Sequence, residues 1–99
     1  MKRSCTTSTL PLDGEETLAT LGRRIRLFRR ALGLTQSDLA AKAGIGLSTV
    51  VAIEKGSPTV QIGFWICALW ALDLLDHFKA LTDLGRNEKF AAILEAQYV

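Results

Sequence analysis

Residues 34–56, LTQSDLAAKAGIGLSTVVAIEKG, constrain the fold most, because two short helical segments lie there between closely spaced glycines. Thr35 is a favourable N-cap for the first segment, and Asp38, three residues later, can complete a capping box. Gly44 falls where this helix must end, in a left-handed conformation that glycine adopts without strain. The sequence therefore predicts a helix of about two turns followed by a sharp turn.

The second helix of this stretch has equally clear limits. Gly46 can serve as its N-cap, Gly56 can end it, and Pro58 prevents the helix from continuing. The apolar positions that would pack the two helices together are Leu39, Ala40, Ala43, Ile45, Val50 and Ile53. Two short helices joined in this way form a helix-turn-helix, whose second helix can lie in a DNA major groove.

The stretch resembles the helix-turn-helix of phage-repressor-like (XRE, Cro/repressor) transcription regulators, and the resemblance extends over residues 18–81. The positions that match the family pattern are Gln36, Ala40, Gly44, Val50 and the closing Ile53, Glu54, Lys55 and Gly56. The resemblance implies an all-α fold, a lambda-repressor-like five-helix domain. Here an extra C-terminal helix would be added to it.

The flanking residues predict the other helices and three regions: an N-terminal arm (1–12), a helix-turn-helix domain (13–82) and a C-terminal helical extension (83–99). Asp13 with Glu16 can open the first helix as a capping box, and Gly33 can end it. Its apolar stripe is formed by Leu18, Leu21, Ile25, Phe28 and Leu32. The arm is either a plain disordered tail or a basic arm that reaches a DNA groove.

Residues 62–72 are apolar nearly all round and predict a central fourth helix. Asp73 or Asp76 can cap a fifth helix that ends near residue 81, and Asn87 with Glu88 can start a final helix. A second subunit would cover apolar surface that one small domain leaves exposed. The expected dimer-interface residues are Trp65, Trp70, Phe90, Ile93 and Leu94.

The distribution of charged and apolar residues limits the classes of function that the chain can have. The net charge is only +2, but residues 1–56 carry nine Lys or Arg against five Asp or Glu, while residues 57–99 carry three against five. The basic half contains the helix-turn-helix, although a solvated face would have the same composition. No run is long enough to span a bilayer, and residues 1–12 make a poor signal peptide, so the expected location is the cytoplasm.

Nothing in the sequence indicates an enzyme, a metal site or a cofactor. Cys5 and Cys67 lie in dissimilar surroundings without nearby histidine ligands, so a structural or incidental role is expected for both. His77 is the only histidine and has no evident partner for acid–base chemistry.

By the resemblance, the outer face of the second motif helix would contact base edges, through Leu47, Ser48, Thr49, Val51 and Ala52. Family members often have Arg, Gln, Ser or Asn at several of these positions. This chain has neither an amide for adenine nor an arginine for guanine there, and its apolar members could contact thymine methyl groups. The expected binder therefore relies on phosphates, on DNA shape and on the basic N-terminal arm if that arm reaches DNA, and its binding should depend strongly on salt.

The resemblance also implies roles for charged and polar residues. Gln36 and Lys55 match family positions that hold phosphates. Arg23 and Arg26 belong to an arginine cluster that suits either phosphate contacts or the dipole and solubility of the first helix. In the family, the positions of Arg29 and Glu54 form a partly buried salt bridge.

Three functions follow as hypotheses. The first is a DNA-binding regulator, expected to be a repressor, that acts as a homodimer on a palindromic operator in double-stranded DNA. The second is an antitoxin, because residues 56–83 resemble regulators encoded beside kinase-type toxins of the Hip family, which bind both operator and toxin. The third is a protein-interaction module that no longer reads DNA. None of them places the chain in a membrane.

Overall fold

The computed structural model describes residues 10–83 and 88–98, without the side chains of Phe90 and Tyr98. These residues form six α-helices: α1 (Leu12–Ala31), α2 (Gln36–Ala43), α3 (Leu47–Glu54), α4 (Ile62–Ala71), α5 (Leu75–Lys79) and α6 (Glu88–Tyr98), with a 3-10 turn at Ala80–Thr82. The described residues contain no β-strand, so the all-α prediction of five helices and an additional C-terminal helix is confirmed. None of the described helices is both long and apolar enough to cross a bilayer.

The predicted ends of α2 and α3 are confirmed in detail. The Thr35 hydroxyl accepts a hydrogen bond from the Asp38 backbone N–H at 3.0 Å, and the Asp38 carboxylate accepts one from the Thr35 N–H at 2.9 Å. Gly44 ends α2 at φ 71°, and Gly46 is the N-cap of α3. Gly56 follows α3 at φ 75°. Local sequence chemistry therefore sets the shape of the helix-turn-helix.

Two predicted caps are wrong. α1 begins at Leu12 with Pro11 as N-cap, so Asp13 lies inside the first turn, where it favours the helix dipole instead of capping. α5 begins at Leu75 without a side-chain cap. Asp73 instead ends α4 with φ 61°, and the N–H of Leu74 donates to the Leu69 carbonyl at 2.8 Å, a Schellman geometry. The proposed start of α6 at Asn87 lies outside the described residues.

The core lies where α1, α2, α3 and α4 meet, because α3 packs against α1 and α2, and α2 packs against α4. Its largest fully buried side chains are Ile25, Leu39, Val50, Ile53 and Leu72. Ala40, Ala43, Ala68 and Ala71 fill the narrow spaces between the helices. Small residues at these positions let the helix axes approach closely while the larger aliphatic side chains exclude water.

α1 crosses the end of α3 in direct backbone contact through two glycines. A Cβ atom on Gly22 would lie 2.5 Å from the Ile53 carbonyl oxygen, and one on Gly56 would lie 2.6 Å from the Ala19 Cα. No side chain fits at either distance. This close crossing places the C-terminal end of α3 directly against α1, which determines how α3 is presented to solvent.

The predicted apolar stripe of α1 is buried only in part. Ile25 is fully buried, but Phe28 and Leu32 are 40% and 52% exposed. Arg29 takes the inward position of the last turns and is 7% exposed. A charged side chain replaces apolar ones here because it has a partner on α3.

Candidate nucleic-acid interface

Arg29 connects α1 to the end of α3. Its Nε donates to Glu54 Oε2 at 2.6 Å, and its Nη2 donates to Glu54 Oε1 at 3.2 Å. Its Nη1 donates to the Leu34 carbonyl at 2.7 Å, in the loop before α2. The ion pair expected between Arg29 and Glu54 is therefore present, with side chains 8% and 3% exposed. One guanidinium therefore joins α1, the loop before α2 and the end of α3.

Gln36 completes this network. Its Nε2 donates to Glu54 Oε1 at 3.0 Å, so the Glu54 carboxylate accepts three hydrogen bonds from two residues. Sequence reasoning assigned Gln36 to a phosphate, whereas its side-chain amide has a partner within the chain. The backbone N–H groups at the start of α2 and the second amide proton are the donors that remain for an anion.

A basic groove lies over this network and is open to solvent. We define the basic groove by Arg26, Arg30, Thr35, Gln36 and Lys55, which line it together with Val51. Arg26, Arg30 and Lys55 are exposed, and none of them has an ion-pair partner among the residues that the structure describes. Because Arg29 neutralises Glu54, the net charge of the groove is positive, and the N-terminus of α2 adds to it.

The outward positions of α3 separate the basic groove from a second depression, which has both polar and apolar lining residues. Leu47 is 47% exposed, Ser48 is exposed, and Thr49, Val51 and Ala52 are half-buried. We call Leu47, Val51 and Ala52 the apolar ridge. Beyond it, the second depression is lined by Ser48, Thr49, Ala52, Thr59, Val60, Gln61 and Phe64. The apolar ridge thus has the cations of the basic groove on one side and the polar groups of Thr59 and Gln61, next to Val60 and Phe64, on the other.

Sequence reasoning missed part of this surface. Arg30 lies in the basic groove one turn after Arg26, and the i, i+4 spacing within the arginine cluster could have identified it. Thr59 and Gln61 lie beside α3 because the loop after Gly56 folds back, and no local pattern shows this. Arg23 does not line the groove. Its Nη2 donates to Thr20 Oγ1 at 3.1 Å.

The expected dimer-interface residues divide into two groups. Trp65 is 6% exposed and packs in the core of its own chain, so its assignment to an interface is corrected: α4 turns this side inward. Trp70 is 61% exposed, and Ile93 and Leu94 on α6 are 47% and 37% exposed. The side chain of Phe90 lies outside the described residues.

The described part of the chain contains no group of three or more His, Cys, Asp or Glu residues that could hold a metal ion. Cys67 is a half-buried free thiol that packs against the core, and His77 is exposed. The exposed cations, helix N-termini and apolar ridge form a surface suited to a polyanion with apolar groups at its centre.

Comparison with known proteins identifies the family. The family model described as "Helix-turn-helix" matches residues 25–63, from the middle of α1 to the start of α4. An uncharacterized HTH-type transcriptional regulator of Sinorhizobium fredii is 44% identical over 48 residues, which are 48% of this chain and 63% of that protein. No solved structure gives a significant match to the chain.

Two archaeal relatives are matched over most of their length. An uncharacterized HTH-type transcriptional regulator of Methanocaldococcus jannaschii is 35% identical over 57 residues, 56% of this chain and 86% of that protein. One of Archaeoglobus fulgidus is 37% identical over 57 residues, 56% of this chain and 81% of that protein. The chain belongs to the helix-turn-helix family of HTH-type transcriptional regulators.

Proposed function

We propose that this chain is a cytoplasmic, non-enzymatic DNA-binding regulator that acts as a homodimer on a palindromic operator, with repression as its mode of action. The observation that supports DNA binding best is the basic groove beside α3, where Arg26, Arg30 and Lys55 are exposed and unpaired among the described residues. Phosphates would occupy this groove while the outward face of α3 enters the major groove.

The second depression also supports the placement of α3 in the major groove of DNA. A helix in the major groove has a phosphate strand on each side, so a DNA-binding surface needs polar groups on both sides of the recognition helix. Thr59 and Gln61 lie on the side of α3 opposite the basic groove. Gln61 is also the N-cap of α4, whose first N–H groups are available to a phosphate oxygen.

The homodimer is supported by the exposed apolar residues of the C-terminal half. α6 has 11 residues, a length at which an isolated helix is marginal in water, and Ile93 and Leu94 are exposed on it. Trp70 on α4 adds a large exposed aromatic side chain. We propose that a second copy covers these residues, and binding to a palindromic operator would then require the two recognition helices to lie about 34 Å apart, one turn of DNA.

Repression as the mode of action is supported by the fact that a repressor needs only the DNA-binding and self-association surfaces proposed above. A dimer bound across a promoter excludes polymerase without any further contact, whereas activation needs an additional surface for polymerase.

Selection of bound duplexes from a random DNA pool, followed by salt titration of the selected sequences, tests the proposal. Enrichment of a two-fold palindrome with half-sites one turn apart, with a steep salt dependence, is the expected result. Selection without a palindrome would contradict the dimer. Absence of salt-dependent binding to any duplex would contradict DNA binding itself.

An antitoxin function is the second candidate, and exposed apolar residues near the start and end of α4 favour it. Ile62 is 64% exposed and Trp70 is 61% exposed, within the segment that resembles regulators of Hip-type toxins. A kinase-type toxin would cover this surface while the basic groove still holds DNA. The test is whether a toxin encoded beside this gene forms a stable complex with the purified chain and loses its kinase activity.

A further inference from the structure

We propose that the apolar ridge reads the C5-methyl groups of pyrimidines, those of thymine in ordinary DNA and equally those of 5-methylcytosine. This inference rests on the proposed function, since it requires α3 to lie in the major groove. It adds to that function the chemical feature by which the operator is recognised.

The outward face of α3 offers few polar atoms to a base edge. Of its five outward side chains, only Ser48 and Thr49 carry polar atoms, and both are hydroxyls. A hydroxyl both donates and accepts, so it can pair with any base edge and discriminates poorly. No amide, guanidinium or carboxylate lies among them. The donor and acceptor pattern that distinguishes the four base pairs is therefore not read from these positions.

The ridge offers a different contact. In the major groove, the apolar group of the ordinary base pairs is the C5-methyl of thymine, and 5-methylcytosine carries a methyl on the same ring carbon. Leu47 occupies the first position of α3 and is 47% exposed. The N-terminal residues of a recognition helix are those that reach base edges, so an exposed leucine there meets the bases first. Val51 follows one turn later on the same side of the helix.

Lys55 does not replace the missing guanine donor. It lies eight residues after Leu47, about 12 Å along the helix axis. It lines the basic groove with Arg26 and Arg30, at the end of α3 where phosphates are expected. Its ammonium therefore contributes to phosphate binding, and the apolar ridge remains above the bases.

Charge distinguishes DNA from an apolar protein partner for this ridge. The ridge is bordered by exposed cations on one side and, on the other, by a depression lined by Thr59, Val60, Gln61 and Phe64. A partner that buried the ridge would also have to desolvate those cations, which is costly unless the partner is an anion. A polyanion with methyl groups at its centre would neutralise the cations of the basic groove and contact the apolar ridge at the same time.

The test uses the duplex selected from the random pool and three chemical versions of it. In the first, deoxyuridine replaces every thymine of the half-sites, which removes only the C5-methyl groups. In the second, cytosine replaces those thymines with guanine opposite, and in the third 5-methylcytosine replaces them. Burial of one methyl group corresponds to about a fourfold change in affinity. We expect about a fourfold loss per contacted methyl in the uridine duplex, and a recovery of that factor from cytosine to 5-methylcytosine.

Variants connect this effect to the ridge. Leu47→Ala and Val51→Ala should each reduce the ratio of thymine to uridine affinities, with the salt slope unchanged. Leu12→Ala, a substitution at a leucine that is 68% exposed outside the interface, is the matched control and should leave the ratio unchanged. Equal affinity for the thymine and uridine duplexes, with salt-dependent binding intact, would overturn methyl reading while DNA binding stands. Loss of all salt-dependent DNA binding would overturn the proposed function as well.

Discussion

Arg29 in α1 and Glu54 at the end of α3 form a buried ion pair with two parallel hydrogen bonds, 2.6 and 3.2 Å long. The pair connects the recognition helix to the long first helix, and a third bond from Arg29 to the Leu34 carbonyl extends it to the loop before α2. The same pair neutralises a carboxylate below the basic groove. It therefore contributes both to the stability of the fold and to the charge of the proposed DNA-binding surface.

Removal of one partner should be far more destabilising than removal of both. Arg29→Met leaves a buried carboxylate without its cation, and Glu54→Leu leaves a buried guanidinium, so each should cost about 3–5 kcal/mol of unfolding free energy. The double variant restores an uncharged interior and should be more stable than the sum of the two losses implies. Urea denaturation of the four proteins measures the coupling. Additive losses would contradict this role of the pair.

The glycine crossing between α1 and α3 makes an equally direct prediction. Gly22→Ala should lower the unfolding free energy by about 2–3 kcal/mol, because the new methyl would overlap the Ile53 carbonyl and force the helices apart. Gly63→Ala is the matched control in α4, where a Cβ would have no neighbour within 4 Å. It should stabilise the protein by about 0.5–1 kcal/mol. Thermal and urea unfolding of both variants provide the comparison, and a tolerated Gly22→Ala would contradict the close crossing.

The two tryptophans should respond oppositely to truncation. Trp65→Ala should destabilise the fold by about 3–5 kcal/mol, because its side chain is 6% exposed within the core. Trp70→Ala should change the unfolding free energy of the monomer little but weaken self-association, because its side chain is 61% exposed. Sedimentation equilibrium measures association and urea denaturation measures stability. A Trp70→Ala protein with unchanged association would remove Trp70 from the proposed interface.

The capping box at the start of α2 should make the unfolding free energy fall slightly as the pH is lowered. The hydrogen bond from the Thr35 backbone N–H, helped by the Thr35 hydroxyl, lowers the pKa of Asp38 below its ordinary value of 3.8. Because the pKa of Asp38 is lower in the folded than in the unfolded protein, its ionised carboxylate stabilises the fold above pH 3.8. This stabilisation is lost as the pH falls through the pKa of the folded state. Asp38→Asn should flatten this part of the stability curve, as measured by urea denaturation between pH 2 and 6. An unchanged slope would show that the carboxylate does not act as this cap.

The basic groove should determine the salt dependence of DNA binding. Lys55→Ala and Arg26→Ala should each reduce the slope of log affinity against log salt by about one phosphate contact, and weaken binding to all sequences alike. Arg24→Ala is the matched control, since Arg24 is exposed on α1 but does not line the groove. Arg23→Ala decides whether that arginine, also outside the groove, contacts DNA. If the salt slope is the same for Lys55→Ala, Arg24→Ala and the unsubstituted protein, the DNA phosphates do not bind in the basic groove.

The sequence by itself determined the helix-turn-helix, because its limits depend on contacts between residues no more than five apart. The Thr35 and Asp38 cap, the left-handed Gly44 and the turn at Gly46 are all local, and all appear as predicted. The same local reasoning failed where two roles compete for one residue type. Asp73 or Asp76 was expected to cap α5, yet α5 has no side-chain cap. Asp73 instead ends α4 in a left-handed conformation, and aspartate is suited to both positions.

The tertiary structure decided which residues are buried and which surfaces meet. Periodicity placed Phe28 and Leu32 on the apolar stripe of α1, but the position of Glu54 on another helix turned Arg29 inward instead. Periodicity also did not predict that Trp65 is buried and Trp70 exposed, or that Gln61 lies beside α3. The Arg29–Glu54 pair alone joins residues 25 positions apart in the chain. Burial and charge neutralisation at such separations follow from how helices pack, which no local pattern records.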